Sequence, residues 1–190
     1  MTKVHLHAGE QAPHFAASDV FGKVSSLDNY KEGYVLLVFL RYAGCPWCNL
    51  ALYRLVMETK QLSENDCHII AFIQSDKATI IQGLHKYHPV KPIFPIVADP
   101  DMKIYQEYGV GSSIAQSIPR FIKEVPDWVR AVRQGYKQEE IDGDLFVVPA
   151  LFLMKATTKS ILKAWYGASF YEHQAFTPVY EALAYDEAAS

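Results

Sequence analysis

Hydrophobic and polar positions change period several times along the chain, and each change marks an element. Tyr34 to Leu40 (YVLLVFL) is a continuous apolar, β-branched and aromatic run, the pattern of a strand buried on both faces. It leads directly into Ala43-Gly44-Cys45-Pro46. From Trp47 to Glu64 the apolar residues Leu52, Leu55, Val56 and Leu62 return at helical spacing, with Arg54, Glu58 and Lys60 outside that stripe. Pro46 suits the first turn of this helix, where its missing N–H is no loss. Cys67 to Ile73 (CHIIAFI) predicts a second buried strand, and Ser75 or Asp76 caps a helix running to about His88. Phe94 to Ala98 reads as a short strand, and Pro100-Asp101 opens a helix reaching Tyr108.

Upstream of these, Phe21-Gly22-Lys23 marks a hairpin turn between two short strands, and Lys31-Glu32-Gly33 a second turn. The alternation of strands and helices predicts an α/β layered fold with parallel strands. Gly111 to Gly143 breaks that rhythm. Ile118 to Val132 has the pattern of an amphipathic helix, interrupted or restarted at Pro126-Asp127, and the polar stretch GYKQEEIDGD follows. The segment reads as a helical insertion too short for a core of its own, so residues 1–190 are expected to form one domain with an insertion at about 111–143. Leu145 to Met154 and Ile161 to Tyr166 predict an antiparallel strand pair turning at Thr157-Thr158-Lys159, and a last helix spans Pro178 to Glu187. Pro149 stands inside the first of those runs, where proline removes a ladder donor. A strand start, an edge position or a cis bond would each accommodate it.

Charge and composition narrow the function. The net charge is −3 and the basic residues are scattered singly, which gives no electrostatic footprint for nucleic acid. No stretch approaches the roughly 20 apolar residues of a membrane span, and MTKVHLHAGEQAPHF lacks the apolar run of a signal peptide. The expected location is therefore the cytoplasm, where thiols are kept reduced. In such a compartment a pair of cysteines three positions apart is catalytic or metal-binding more often than a static staple. A zinc site asks for a second C-x-x-C or a histidine pair at ligand spacing, and only His5-x-His7 approaches one. Neither a metal nor a cofactor is expected.

The most specific signal is a strand that passes through Cys45-Pro46-Trp47-Cys48 straight into a helix. The thiolate is the nucleophile, and a helix N-terminus lowers a thiol pKa with its free N–H groups and positive dipole end. Two cysteines at this spacing can close a disulfide across the first turn, so electrons enter and leave in pairs. Arg41, at the end of the preceding strand, adds positive charge if it bends toward the thiolate. Cys67, at the start of a buried strand, is expected to pack rather than react. Trp47 is either a partner-docking surface or a ring packed over the helix start.

Several segments resemble one family. Gly9-Glu10-Gln11-Ala12-Pro13-His14-Phe15, with Phe21-Gly22-Lys23 before Ser26-Leu27, is similar to the entry of redoxins of the alkyl hydroperoxide reductase and thiol-specific antioxidant (AhpC/TSA) superfamily. VLLVFLRYAGCPWCNLALYRL resembles its active-site strand and helix, and Phe94 to Asp101 with Tyr108-Gly109-Val110 resembles a further family segment. A C-x-x-C subgroup of peroxiredoxin-like proteins is the nearest match. The resemblance implies a thioredoxin-like fold, a mixed central sheet flanked by helices, with Val148-Pro149 as a cis proline facing the cysteines. It also implies hydroperoxide reduction with Cys48 at the position of the attacking, peroxidatic cysteine. Cys48 would become a sulfenic acid and Cys45 would condense with it. A thioredoxin-like protein or a low-molecular-weight thiol would then reduce the disulfide.

The family pattern P-x-x-x-T-x-x-C here runs from Arg41 to Cys48, with Arg41 replacing the proline and Cys45 the threonine. The family arginine near the strand at Pro149 is missing, and Arg120, Arg130 and Arg133 in the insertion are candidates to replace it. The C-P-W-C spacing also suits a thioredoxin-like disulfide reductase, in which Cys45 attacks and Cys48 resolves. A non-catalytic redox sensor or scaffold is the third reading. The aromatic content, 13%, and the apolar C-terminal stretch allow a homodimer.

Overall fold

The computed structural model describes residues 5–112, 121–167 and 176–189. The expected hairpin is present as β1 (Ala16–Ser18) and β2 (Val24–Ser26), antiparallel. Gly22 makes its turn at φ +91°, where a side chain would be strained. The central sheet is formed by β3 (Tyr34–Phe39), β4 (Cys67–Ile73), β5 (Ile96–Ala98), β6 (Ala150–Lys155) and β7 (Ile161–Tyr166), in the spatial order β5-β4-β3-β6-β7. It is a mixed sheet. β3 runs parallel to β4 (Leu36 opposite Ile69) and antiparallel to β6 (Leu36 opposite Leu153).

The period of two along β3 divides its side chains between two cores. Leu36 joins Leu52, Leu55, Ile69, Leu153 and Leu183 on one face. Val35, Leu37 and Phe39 join Phe15, Phe72, Tyr105, Tyr108 and Phe152 on the other. Burial of both faces is why β3 and β4 read as unbroken apolar runs. The first face is covered by α1 (Pro46–Glu64), α2 (Lys77–Tyr87) and α5 (Thr177–Ala189). Asp76 caps α2, accepting from the Thr79 N–H at 2.9 Å. On the second face lies the short α3 (Lys103–Glu107), which starts later than Pro100 because Asp99 caps it: its carboxylate accepts from the N–H groups of Lys103, Ile104 and Tyr105. The Tyr105 hydroxyl then donates to the carbonyls of Leu40 and Phe72, tying together the ends of β3 and β4 beneath the cysteine loop.

The insertion contributes α4 (Phe121–Arg133), which is continuous through Pro126 rather than interrupted there. The expected start at Ile118, and Arg120 with it, lie outside the described residues. α4 packs on α1 through a small cluster of Leu50, Ala131 and Tyr136, so the insertion borrows its core from the active-site helix.

Two expectations around Pro149 need correction. The strand predicted from Leu145 begins only at Ala150. Its would-be first residues are used elsewhere: Val147 bridges to Ser112 and Val148 N–H donates to the Gly111 carbonyl. Pro149 therefore sits just ahead of the ladder, where its missing donor costs nothing. Its peptide bond is also trans, since no described peptide bond is cis. The cavity that Pro149 lines is walled by Val38, Ala51, Leu55, Leu151 and Trp165, with neither cysteine in the wall. The expected cis bond is thus a trans one, and Pro149 leads directly into β6, whose first residue Ala150 pairs with Phe39 at the end of β3.

Candidate active site

The site begins at the end of β3, where Leu40 gives way to Arg41 and the chain leaves the sheet. Cys45 is the N-cap of α1, with extended backbone (φ −84°, ψ 122°) and Pro46 as the first helical residue. An N-cap side chain ordinarily offers an oxygen to the free N–H groups of the first turn. Here the sulfur takes that role, accepting from Cys48 N–H at 3.4 Å. Arg41 folds back over it, and its Nη2 donates to Cys45 Sγ at 2.9 Å. Both groups are buried, Cys45 at 0% and Arg41 at 1% exposure.

These contacts give the two sulfurs opposite character. Burial pushes the Cys45 thiol up. The Cys48 S–H donated to it, the Arg41 charge, the Cys48 N–H and the Arg41 hydrogen bond together overcome that and bring it down to about 6. Burial also pushes Cys48 up, and its hydrogen bond to the Cys45 sulfur and that sulfur's charge add to the rise, leaving it well above the ordinary value. Both fixed donors, the Arg41 guanidinium and the Cys48 N–H, point at Cys45, so this environment favours negative charge on Cys45 over Cys48.

A strap of residues 134–149, running from the end of the insertion to the start of β6, is hydrogen-bonded to the loop. Arg41 reaches it directly, with Nη1 donating to the Leu145 carbonyl at 2.7 Å. Glu139 N–H donates to the Gly44 carbonyl at 3.0 Å, and Tyr42 hydroxyl donates to Gln138. Ser75 accepts from Ala43 N–H and donates to Asp142, and Gln74 exchanges two hydrogen bonds with the backbone of Asp144. Glu139 is held in turn by Lys86 and Tyr87 of α2. Gly44 is needed for this fit. A Cβ there would lie 2.5 Å from the Glu140 carbonyl oxygen.

Of the residues singled out in the sequence, the structure brings Cys45, Cys48 and Arg41 together. Trp47 packs partly buried against the core, with Arg41 Cζ 5.9 Å from its ring centroid. Pro149 immediately precedes Ala150, which pairs with Phe39 at the end of β3. Arg130 and Arg133 are exposed on α4, and the cation at the sulfur comes from Arg41. Cys67 is buried, and burial pushes its thiol up to about 12, the state of a packing residue. Among the described residues no group of three or more His, Cys, Asp or Glu could hold a metal ion, and no helix is long and apolar enough to cross a membrane.

Sequence reasoning passed over Asn49 and His88. Asn49 Nδ2 donates to the carbonyls of Ala43 and Cys45, and its Oδ1 meets His88 Nε2 at 3.0 Å. A signal existed: Asn49 lies three residues before Leu52, on the apolar stripe of α1, and a polar residue there needs buried partners.

Comparisons with known proteins agree with this architecture. No curated protein sequence matches the chain. Among solved structures, the peroxidoxin BcpB of Mycobacterium tuberculosis superposes with a TM-score of 0.65 at 15% identity, covering 98% of this chain and 99% of its own. A thiol peroxidase from Chromobacterium violaceum gives 0.64 at 15% identity, covering 97% and 90%. A cysteine-to-serine mutant of PrxQ from Xylella fastidiosa gives 0.67 at 12% identity, covering 98% and 99%. These likenesses establish a thioredoxin-like fold of the peroxiredoxin kind across nearly the whole chain. The AhpC/TSA family profile matches residues 8–143, from the N-terminal segment through the cysteine motif to the end of the insertion, and the chain belongs to that family.

Proposed function

We propose that the protein reduces small hydroperoxides through a thiol–disulfide cycle in which Cys45 attacks and Cys48 resolves. The carrying observation is the Arg41 Nη2 to Cys45 Sγ hydrogen bond at 2.9 Å, which favours the thiolate on Cys45 rather than Cys48. In the first step the Cys45 thiolate attacks the terminal peroxide oxygen and the O–O bond breaks. The alcohol or water leaves with a proton, and Cys45 becomes a sulfenic acid. Cys48 then attacks the Cys45 sulfur, hydroxide leaves as water with the Cys48 proton, and the disulfide forms. A thioredoxin-like protein or a small thiol supplies the two electrons that restore both sulfurs. Arg41 has a second use in the first step: a fixed cation beside the reacting sulfur also stabilises charge developing on the peroxide oxygens.

Family membership and burial both support peroxide over a protein disulfide as the oxidant. Cys45 and Cys48 are 0% and 4% exposed, a setting that admits a small molecule far more readily than another polypeptide. The disulfide-reductase reading uses the same order of attack and is favoured by the N-cap position of Cys45. It requires a larger displacement of the strap.

The test is stopped-flow peroxide consumption by the reduced protein and by Cys45→Ser and Cys48→Ser, with oxidised sulfur mapped by mass. The expected result is one equivalent consumed by Cys48→Ser with sulfenic acid on Cys45, and no reaction in Cys45→Ser. Sulfenic acid on Cys48 in the Cys45→Ser protein would reverse the assigned order. Consumption no faster than that of a free thiol would remove the peroxidase reading and leave disulfide exchange.

A further inference from the structure

Asn49 is buried and lies four residues beyond Cys45 on α1, so its side chain stands one turn above the sulfur-bearing loop. Its Nδ2 is 2.8 Å from the Ala43 carbonyl and 3.0 Å from the Cys45 carbonyl. Two carbonyls can only accept, so the amide nitrogen must face them and the amide oxygen must face His88. That orientation determines the histidine tautomer. Nε2 carries the proton and donates to Asn49 Oδ1 at 3.0 Å. His88 is itself the C-cap of α2, 4% exposed, and its ring stacks on Tyr136 of the strap at 5.9 Å and 24°. Burial lowers its pKa to about 4, so the ring is neutral at physiological pH and brings no charge to the loop.

We propose that Asn49, held in orientation by His88, is a positioning residue for Cys45: it clamps the turn from Ala43 to Cys45 so that Arg41 and the Cys48 N–H stay aimed at the sulfur. This rests on Cys45 being the reactive thiolate. The clamp acts through backbone carbonyls on either side of Gly44, a residue that lacks a side chain of its own to hold the turn. Without the clamp the loop gains freedom, the two donors lose their fixed approach, and the thiolate loses part of the stabilisation that outweighs its burial. Through the His88–Tyr136 stack the same clamp is seated against the strap, so α1, α2 and the insertion jointly set the geometry of one turn.

The measurement is the ultraviolet absorbance of the Cys45 thiolate against pH, in the reduced full-length protein, referenced to Cys45→Ser. Asn49→Ala should move the midpoint up by about one unit, which is about tenfold less thiolate at any pH below it. His88→Phe keeps a ring against Tyr136 but has no donor, and should shift the midpoint in the same direction by less. His88→Gln places an amide N–H at the position of Nε2 and should return it to the wild-type value. An unchanged midpoint in a folded Asn49→Ala overturns the proposal. Should Asn49→Ala fail to fold, equal midpoints in the Phe and Gln variants of His88 overturn it instead. The absorbance needs no peroxide. A protein inert toward peroxide but showing these shifts would sink the peroxidase reading and leave the clamp standing.

Discussion

Arg41 and Cys45 form a buried pair, with Nη2 2.9 Å from Sγ and the guanidinium carbon 5.4 and 5.9 Å from the ring centroids of Tyr42 and Trp47. The pair lies inside the family's own active-site loop, at a position where the family pattern has a proline. The cation beside the sulfur thus comes from the strand end that leads into the cysteine loop. A hydrogen bond to a charged group contributes about 1.5–3 kcal/mol.

Arg41→Met should therefore raise the Cys45 midpoint well above its present value and slow the first oxidation at neutral pH by roughly 10- to 100-fold. Rapid-mixing kinetics of sulfenic acid formation in a Cys48→Ser background would measure this. An unchanged rate would show that the cation is structural only.

The rate of that first step should follow Cys45 ionisation. With its pKa lowered to about 6, the rate should be flat above neutrality and fall about tenfold per pH unit well below pH 6. The same shift has a stability consequence. The folded pKa is depressed below the ordinary thiol value of 9.0, so the stabilisation is fully present above that value and is lost as pH falls through about 6. Urea midpoints of the reduced protein should decline over that window relative to Cys45→Ser. Parallel pH curves for the two proteins would contradict the ionisation.

Gly44→Ala tests the strap. Its Cβ would meet the backbone oxygen of Glu140 at 2.5 Å and the Glu139 Cβ at 3.0 Å, so the strap must lift. The expected cost is about 1–3 kcal/mol, with Cys45 alkylated faster by iodoacetamide at a pH where it is already ionised. Alkylation at the wild-type rate would mean the strap does not control access.

Cys67→Ala should leave peroxide consumption and the Cys45 midpoint unchanged, because Cys67 is a neutral buried thiol raised to about 12. The loss should appear only in stability, about 1 kcal/mol for the small volume removed from the start of β4. Slowed turnover would assign Cys67 a redox role.

Much of the fold was legible because it is written in local patterns. The two doubly buried strands at Tyr34 and Cys67, the capped helix after Asp76 and the Pro46 helix start each carry a short-range signature, and each lies within a residue or so of its expected bounds. The cysteine pair was legible for the same reason. What escaped was long-range. Nothing near Leu145 in sequence announces that its carbonyl binds Arg41, 104 residues earlier, or that Asp142 and Asp144 fasten to Ser75 and Gln74. Those contacts consume the residues that hydrophobicity assigned to an early β6. The contact between Arg41 and Cys45 escaped too, because residue spacing does not show which sulfur a bent arginine reaches.

The strap has a kinetic meaning as well as a geometric one. Cys45 is fully shielded and Cys48 nearly so, so on the proposed cycle the pair would meet an oxidant or reductant only when the packing around the loop opens. Oxidant and reductant do not need the same opening. A hydroperoxide passes through a gap of a few ångströms, whereas a protein dithiol must bring its own sulfur into contact with the disulfide. On the proposed cycle, frequent small openings would set the rate of oxidation and rare large ones the rate of recovery. The ratio of those two opening frequencies would then govern how long the protein stays in the disulfide form after a pulse of peroxide.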